Sequence, residues 1–184
     1  MNAQVSSLVN AAGAAAAGGR WQEAERLWGQ VHALDPGNVQ ALFSLGVHAF
    51  QRGDARAALE MLEQARQRAP RDPMILLTLG RIHREGGRPE QEWGTIIGAL
   101  EIDPYFLPAL LGKAEFLERK DQPRAAAAAF RDVLKVAPAE AEWPAPLRRR
   151  LEHAREVVER DTQGLIEFLG HRVAARRATV DEAL

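Results

Sequence analysis

Pro36, Pro70, Pro104 and Pro138 follow one another at a constant interval of 34 residues, and that interval constrains the fold more than any other feature of the chain. A strict period of this length means that each unit is one supersecondary element, unable to bury its apolar face alone and obliged to stack on its neighbours. When each unit is ended two residues after its proline, the units run 5–38, 39–72, 73–106 and 107–140. Other positions then fall into columns. Leu8, Leu42, Leu76 and Leu110 stand fourth in their units, Ala24, Ala58, Glu92 and Ala126 twentieth, and Trp28, Leu62, Ile96 and Phe130 twenty-fourth. The fifteenth column reads Gly19, Gly53, Gly87 and Asp121, a helix-stopping signal in the middle of every unit. Each unit is therefore helix, turn, helix.

Cap chemistry supports the same boundaries. Asn38, Asp54 and Asp72 stand where a helix begins and carry side chains that accept from the first free amides. Pro89 and Pro123 suit a first helical turn, where no amide hydrogen is needed. Leu42, Leu45, Leu62, Leu76, Leu79, Ile96 and Phe130 are the expected core, each worth roughly 1.5–3 kcal/mol on full burial. Glu92 interrupts a column of small residues, so either the helices spread there or its carboxylate reaches the surface.

These columns, with Leu45-Gly46 and Leu79-Gly80 seventh and eighth in their units, resemble the tetratricopeptide repeat family over residues 5–140. Unit one has Ala11-Ala12 and unit four Lys113-Ala114 at that place, as terminal repeats often depart from the pattern. The resemblance implies an all-α, right-handed α-α superhelix (solenoid) of four helical hairpins, followed by a long C-terminal capping helix. It also implies a concave face formed by the first helix of each unit, with the second, fifth, ninth and twelfth positions pointing into it. Those columns supply Gln40, Phe43, Val47 and Phe50, then Met74, Leu77, Arg81 and Arg84, then Leu111, Glu115 and Glu118. Phe43, Val47 and Phe50 form one stripe that serves either as packing or as an anchor pocket. Arg81 and Arg84 are spaced to clamp a carboxylate, or to pair with Glu115 and Glu118 on the next first helix. The lysine and asparagine set with which some family members grip acidic chaperone C-termini is missing, since the matching columns hold Val9, Gly13, Ser44, Met74 and Thr78. An amphipathic helix or extended apolar peptide is the expected ligand.

After unit four the period fails. Trp143-Pro144-Ala145-Pro146 breaks the chain's helical pattern, and from Leu147 apolar residues recur at Leu151, Ala154, Val158, Leu165, Leu169 and Val173, as in one long amphipathic helix. Residues 141–177 are thus expected to form a linker and a capping or docking helix, with Gly164 and Gly170 as places of interruption and 178–184 as a tail. Arg148, Arg149 and Arg150 are followed by Glu152, Glu156 and Glu159, an arrangement for helical ion pairing. The helix is also a candidate for self-association. This flank resembles the connector in bacterial proteins that join tetratricopeptide repeats to an aspartyl/asparaginyl β-hydroxylase domain. That resemblance implies an alternative role, the substrate-recruiting or dimerising N-terminal region of such an enzyme.

The chain supplies no catalytic constellation of its own. Its five histidines are scattered, only His83 has an acid two places on, Glu85, and none has the paired helical spacing of a zinc site. No serine has an evident base and orienting acid, and no glycine-rich phosphate cradle follows a strand. Arg52-Gly53-Asp54 is a repeat turn, not an adhesion signal. The formal net charge of −1 over 184 residues, with 24 basic and 25 acidic side chains interspersed, argues against nucleic acid as a partner. Cysteine is absent, which fits a reducing compartment. No run approaches the roughly 20 apolar residues of a membrane span, and no charged n-region opens the chain. The expectation is a cytoplasmic, non-enzymatic module without cofactor or metal, binding a protein or peptide segment.

Overall fold

A computed structural model describes residues 3–139 and 144–181, with side chains through residue 172. Trp143 of the expected break lies outside the described residues. Helices account for all regular structure there: α1 (Ala3–Ala17), α2 (Trp21–Leu34), α3 (Val39–Gln51), α4 (Ala55–Arg68), α5 (Pro73–Glu85), α6 (Pro89–Ile102), α7 (Leu107–Arg119), α8 (Pro123–Val136) and α9 (Ala145–Asp181). The fold is all-α. Consecutive helices pair as hairpins, α1 with α2, α3 with α4, α5 with α6 and α7 with α8, and α9 packs on α8.

The turn inside each hairpin is built the same way four times. Gly19, Gly53, Gly87 and Asp121 have φ of 71°, 83°, 64° and 54°, the left-handed conformation that ends a helix. Around Gly53, the Asp54 amide donates to the Ala49 carbonyl at 2.9 Å and the Gly53 amide to the Phe50 carbonyl at 2.9 Å. The same pair of bonds recurs at Arg20 and Gly19, Arg88 and Gly87, and Gln122 and Asp121. Three caps also appear as expected: Asn38 accepts from the Ala41 amide, Asp54 from Ala57 and Asp72 from Met74.

The periodic prolines act on the residue before them. Proline crowds its predecessor out of the α region, and Asp35, Ala69, Asp103 and Ala137 have ψ of 84°, 70°, 101° and 141°. Each second helix stops there.

The chain divides into two compact units, residues 1–104 and 105–184. In the first, α2 packs on α3, α4 on α5, and α3 also touches α5, so the hairpins stack in sequence. Val5, Ala12, Ala15, Ala24, Leu27, Trp28 and Val31 form one core cluster. Leu42, Ala58, Leu62, Ile75, Leu79 and Ile82 form the heart of another. The small columns mark where paired helices nearly touch: a Cβ added at Gly46 would lie 2.8 Å from Leu62 Cγ, and one at Gly80 2.5 Å from Thr95 Oγ1. Of the expected core, Leu42, Leu62, Leu79, Ile96 and Phe130 are buried, whereas Leu45 and Leu76 are half-buried and Ile75 takes the interior place. Glu92 corrects the expectation of an escaping carboxylate, because it is 6% exposed. The helices are not spread at this level either, since Gly80 lets the turn of α6 holding Thr95 come close to α5.

In the second unit, Ala114, Ala126, Phe130, Val133, Leu151 and Ala154 are buried. α9 is one helix of 37 residues. It runs through Gly164 and Gly170 without interruption and continues into the stretch expected to be a tail. A glycine in a helix costs only about 1 kcal/mol relative to alanine, too little to stop one by itself.

Candidate functional site

The first helices of the first unit, α1, α3 and α5, carry the columns expected to line a binding face. Along α3, Gln40 is exposed and Phe43, Val47 and Phe50 are half-buried. Phe43 and Phe50 pack with one part of each ring against the Leu42 and Leu62 cluster. The stripe is thus both packing and surface. On α5, Met74 is 45% exposed, Leu77 is half-buried, and Arg81 and Arg84 are exposed. The Arg81 guanidinium sits over the Phe50 ring, 5.7 Å from its centroid, and ties the two helices' surfaces together by a cation–π contact.

A hollow of about 430 Å³ opens beside Phe43. Val9, Asn10, Gly13 and Ala14 of α1 form one wall, Gln40, Phe43 and Ser44 of α3 another, and Trp28 of α2 contributes to the lining. The volume lies in the range of sites that accept one or two side chains or a small molecule. Sequence reasoning placed Gln40 and Phe43 here and missed Trp28, whose column marks it as core. The other signal was Gly13: it stands ninth in its unit, where Val47 and Arg81 stand in theirs, and its missing side chain leaves the wall low.

His83 lies on α5 between Arg81 and Arg84. Its Nδ1 is buried without a hydrogen-bond partner. Burial holds its pKa below the usual 6.5, the Arg88 guanidinium pushes the same way, and Glu63 opposes them. Burial likewise lowers the pKa of His48 on α3.

The second unit uses its candidate residues differently. Leu111 is 0% exposed, which corrects its assignment to a binding face. Removing a leucine from water is worth roughly 1.5–3 kcal/mol, and a partner could reach it only by reversing that burial. Glu115 accepts from Arg150 Nε at 2.7 Å, and Glu118 meets His153 Nε2 at 2.9 Å, so both carboxylates serve to hold α9 on α7. His153 also sets its ring edge-on to Phe130, with centroids 5.5 Å apart. Arg150, the last of the basic run, thus pairs with α7 and not along its own helix.

Stacked hairpins joined by left-handed turns, with small residues at every close approach, define a helical-repeat protein whose first helices offer a surface. Residues 15–73 and 49–91 match the family model of the tetratricopeptide repeat. Among solved structures, a thermophilic TPR protein of Thermus thermophilus superposes with a TM-score of 0.66 at 19% identity, over 82% of this chain and 80% of that one. MamA from Desulfovibrio magneticus gives 0.63 at 23%, over 72% and 75%. A mutant of the Thermobaculum terrenum O-GlcNAc transferase gives 0.67 at 25%, over 72% of this chain, but the match spans only 26% of the transferase. No curated protein matches the sequence significantly. Nothing in these comparisons supports the likeness of the C-terminal flank to a β-hydroxylase connector. No helix among the described residues is long and apolar enough to cross a membrane.

Proposed function

We propose that the chain is a protein-interaction scaffold whose first unit binds a peptide segment along α1, α3 and α5. The observation that carries this reading is the hollow at Phe43, open beside a half-buried aromatic, with the Phe50–Arg81 contact joining α3 and α5 as a separate surface feature. One apolar side chain of the ligand fills the hollow against Phe43 and Trp28. Gln40 and Asn10 at its rim donate to and accept from the ligand backbone. Farther along, Val47, Phe50, Met74 and Leu77 offer apolar contact, and Arg81 with Arg84 meets an acidic side chain or a terminal carboxylate. The preferred ligand therefore carries a large apolar residue and an acid several residues apart. Burial of the apolar anchor supplies most of the affinity, and the arginines select orientation.

Panning of a phage-displayed random peptide library against the full chain tests the reading. Selected peptides should share an apolar anchor and an acid, and calorimetric titration should show at least tenfold weaker binding to Phe43→Ser and to Arg81→Glu with Arg84→Glu. Circular dichroism confirms that each variant retains its helices. Peptides that bind these variants as tightly as the native chain would place the binding surface elsewhere.

A further inference from the structure

The long helix α9 outruns the helix it packs on. Val157, Arg160 and Asp161 stand beside Pro123 and Ala126 at the start of α8, while His153 faces Phe130 farther along it. The two helices are therefore antiparallel, and α8 begins opposite residues 160–161. From Thr162 to Arg172 every residue of α9 is exposed. Yet the apolar stripe does not end with its cover. At 100° per residue, Leu165 and Leu169 lie on the same side of α9 as Leu151 and Ala154, which are both 0% exposed. Leu165, Phe168 and Leu169 are 54%, 54% and 51% exposed, and Ile166 beside them 59%. An uncovered helical segment of this length, with Gly164 and Gly170 inside it, is marginal in water. It needs a neighbour.

We infer that this neighbour is the same segment of a second copy of the chain, laid antiparallel about a two-fold axis near Leu165–Leu169. Charge selects the occupant and its direction. Residues 152–167 hold five acids against two arginines, whereas 171–177 hold one histidine and three arginines with no acid. About that axis an antiparallel pair sets residues 171–177 of each copy beside 157–163 of the other, where Glu159 and Asp161 outnumber Arg160, and a parallel pair sets like against like. Such an interface is self-complementary, and closes at two copies. It stands apart from the peptide-binding reading and does not depend on it.

Multi-angle light scattering of the full chain should give twice the monomer mass at tens of micromolar and fall toward the monomer on dilution. Leu165→Asp with Leu169→Asp should weaken dimerisation at least tenfold and leave the main thermal transition of the helices in place, while Phe43→Ser should leave the mass unchanged. Should the double variant lose helix elsewhere, Leu169→Ser gives the same comparison with a smaller change. Because the chain has no cysteine, single cysteines report direction cleanly. A mixture of Thr162→Cys and Arg172→Cys chains should form a disulfide-linked pair under mild oxidant, and Arg172→Cys alone should not. A monomer at every concentration, a dimer indifferent to the aspartates, mass that grows beyond two copies, or ready self-linkage at Arg172→Cys would each overturn the inference.

Discussion

Asp121 occupies, at φ 54°, the turn position that glycine holds in the other three hairpins. The left-handed conformation costs a residue with a Cβ about 1–2 kcal/mol, and aspartate bears it better than most. Gly53→Ala should therefore lower stability by about 1 kcal/mol, although a Cβ there would meet nothing within 4 Å. Asp121→Gly should raise it by about 0.5 kcal/mol, the relief being partly offset by a more flexible unfolded chain. Urea titrations of the two variants decide the point, and equal signs would refute it. Residues that act on their own backbone were readable in this way from spacing alone: the turn glycines, the caps at Asn38, Asp54 and Asp72, and the prolines. Residues whose fate depends on distant neighbours were not. Glu92 and Leu111 carry no local mark that distinguishes a buried side chain from an exposed one, and the period only says which way their helix faces.

Among the elements, α9 shows the limit of periodicity as a guide. Its amphipathic pattern predicted a helix, and a helix forms. Its partners lie off the period, however, so no column could say that Glu115 and Glu118 would reach Arg150 and His153. Nor could it say that the stripe would outrun its cover. The docking of α9 has a clear centre in Phe130, 0% exposed and edge-on to His153. Phe130→Ala should cost about 3–5 kcal/mol. Hydrogen exchange should register the loss as faster exchange along α8 and the first half of α9. Unchanged protection of residues 145–161 would mean that α9 is held mainly by its ion pairs, which at exposed sites contribute about 0–1 kcal/mol each.

For the molecule as a whole, the division into residues 1–104 and 105–184 places both depressed histidines in the first unit. The unfolded chain binds protons at the ordinary value of 6.5, whereas folded His48 and His83 bind them only at lower pH. Their contribution is complete above pH 6.5 and is lost as the pH falls through their depressed values. Residues 1–104 should accordingly lose thermal midpoint on acidification below pH 6.5, and His48→Gln with His83→Gln should flatten that slope. An identical slope in the double variant would exclude these groups as its cause. The uncovered half of α9 bears on quantity as much as on structure. A pair of chains joined there would carry two copies of the proposed peptide-binding face on one particle, so a target displaying its motif twice would be held by an effective local concentration in place of the bulk one. Retention on such a target then rises steeply once the protein exceeds its dimerisation constant, and abundance itself sets which targets are kept.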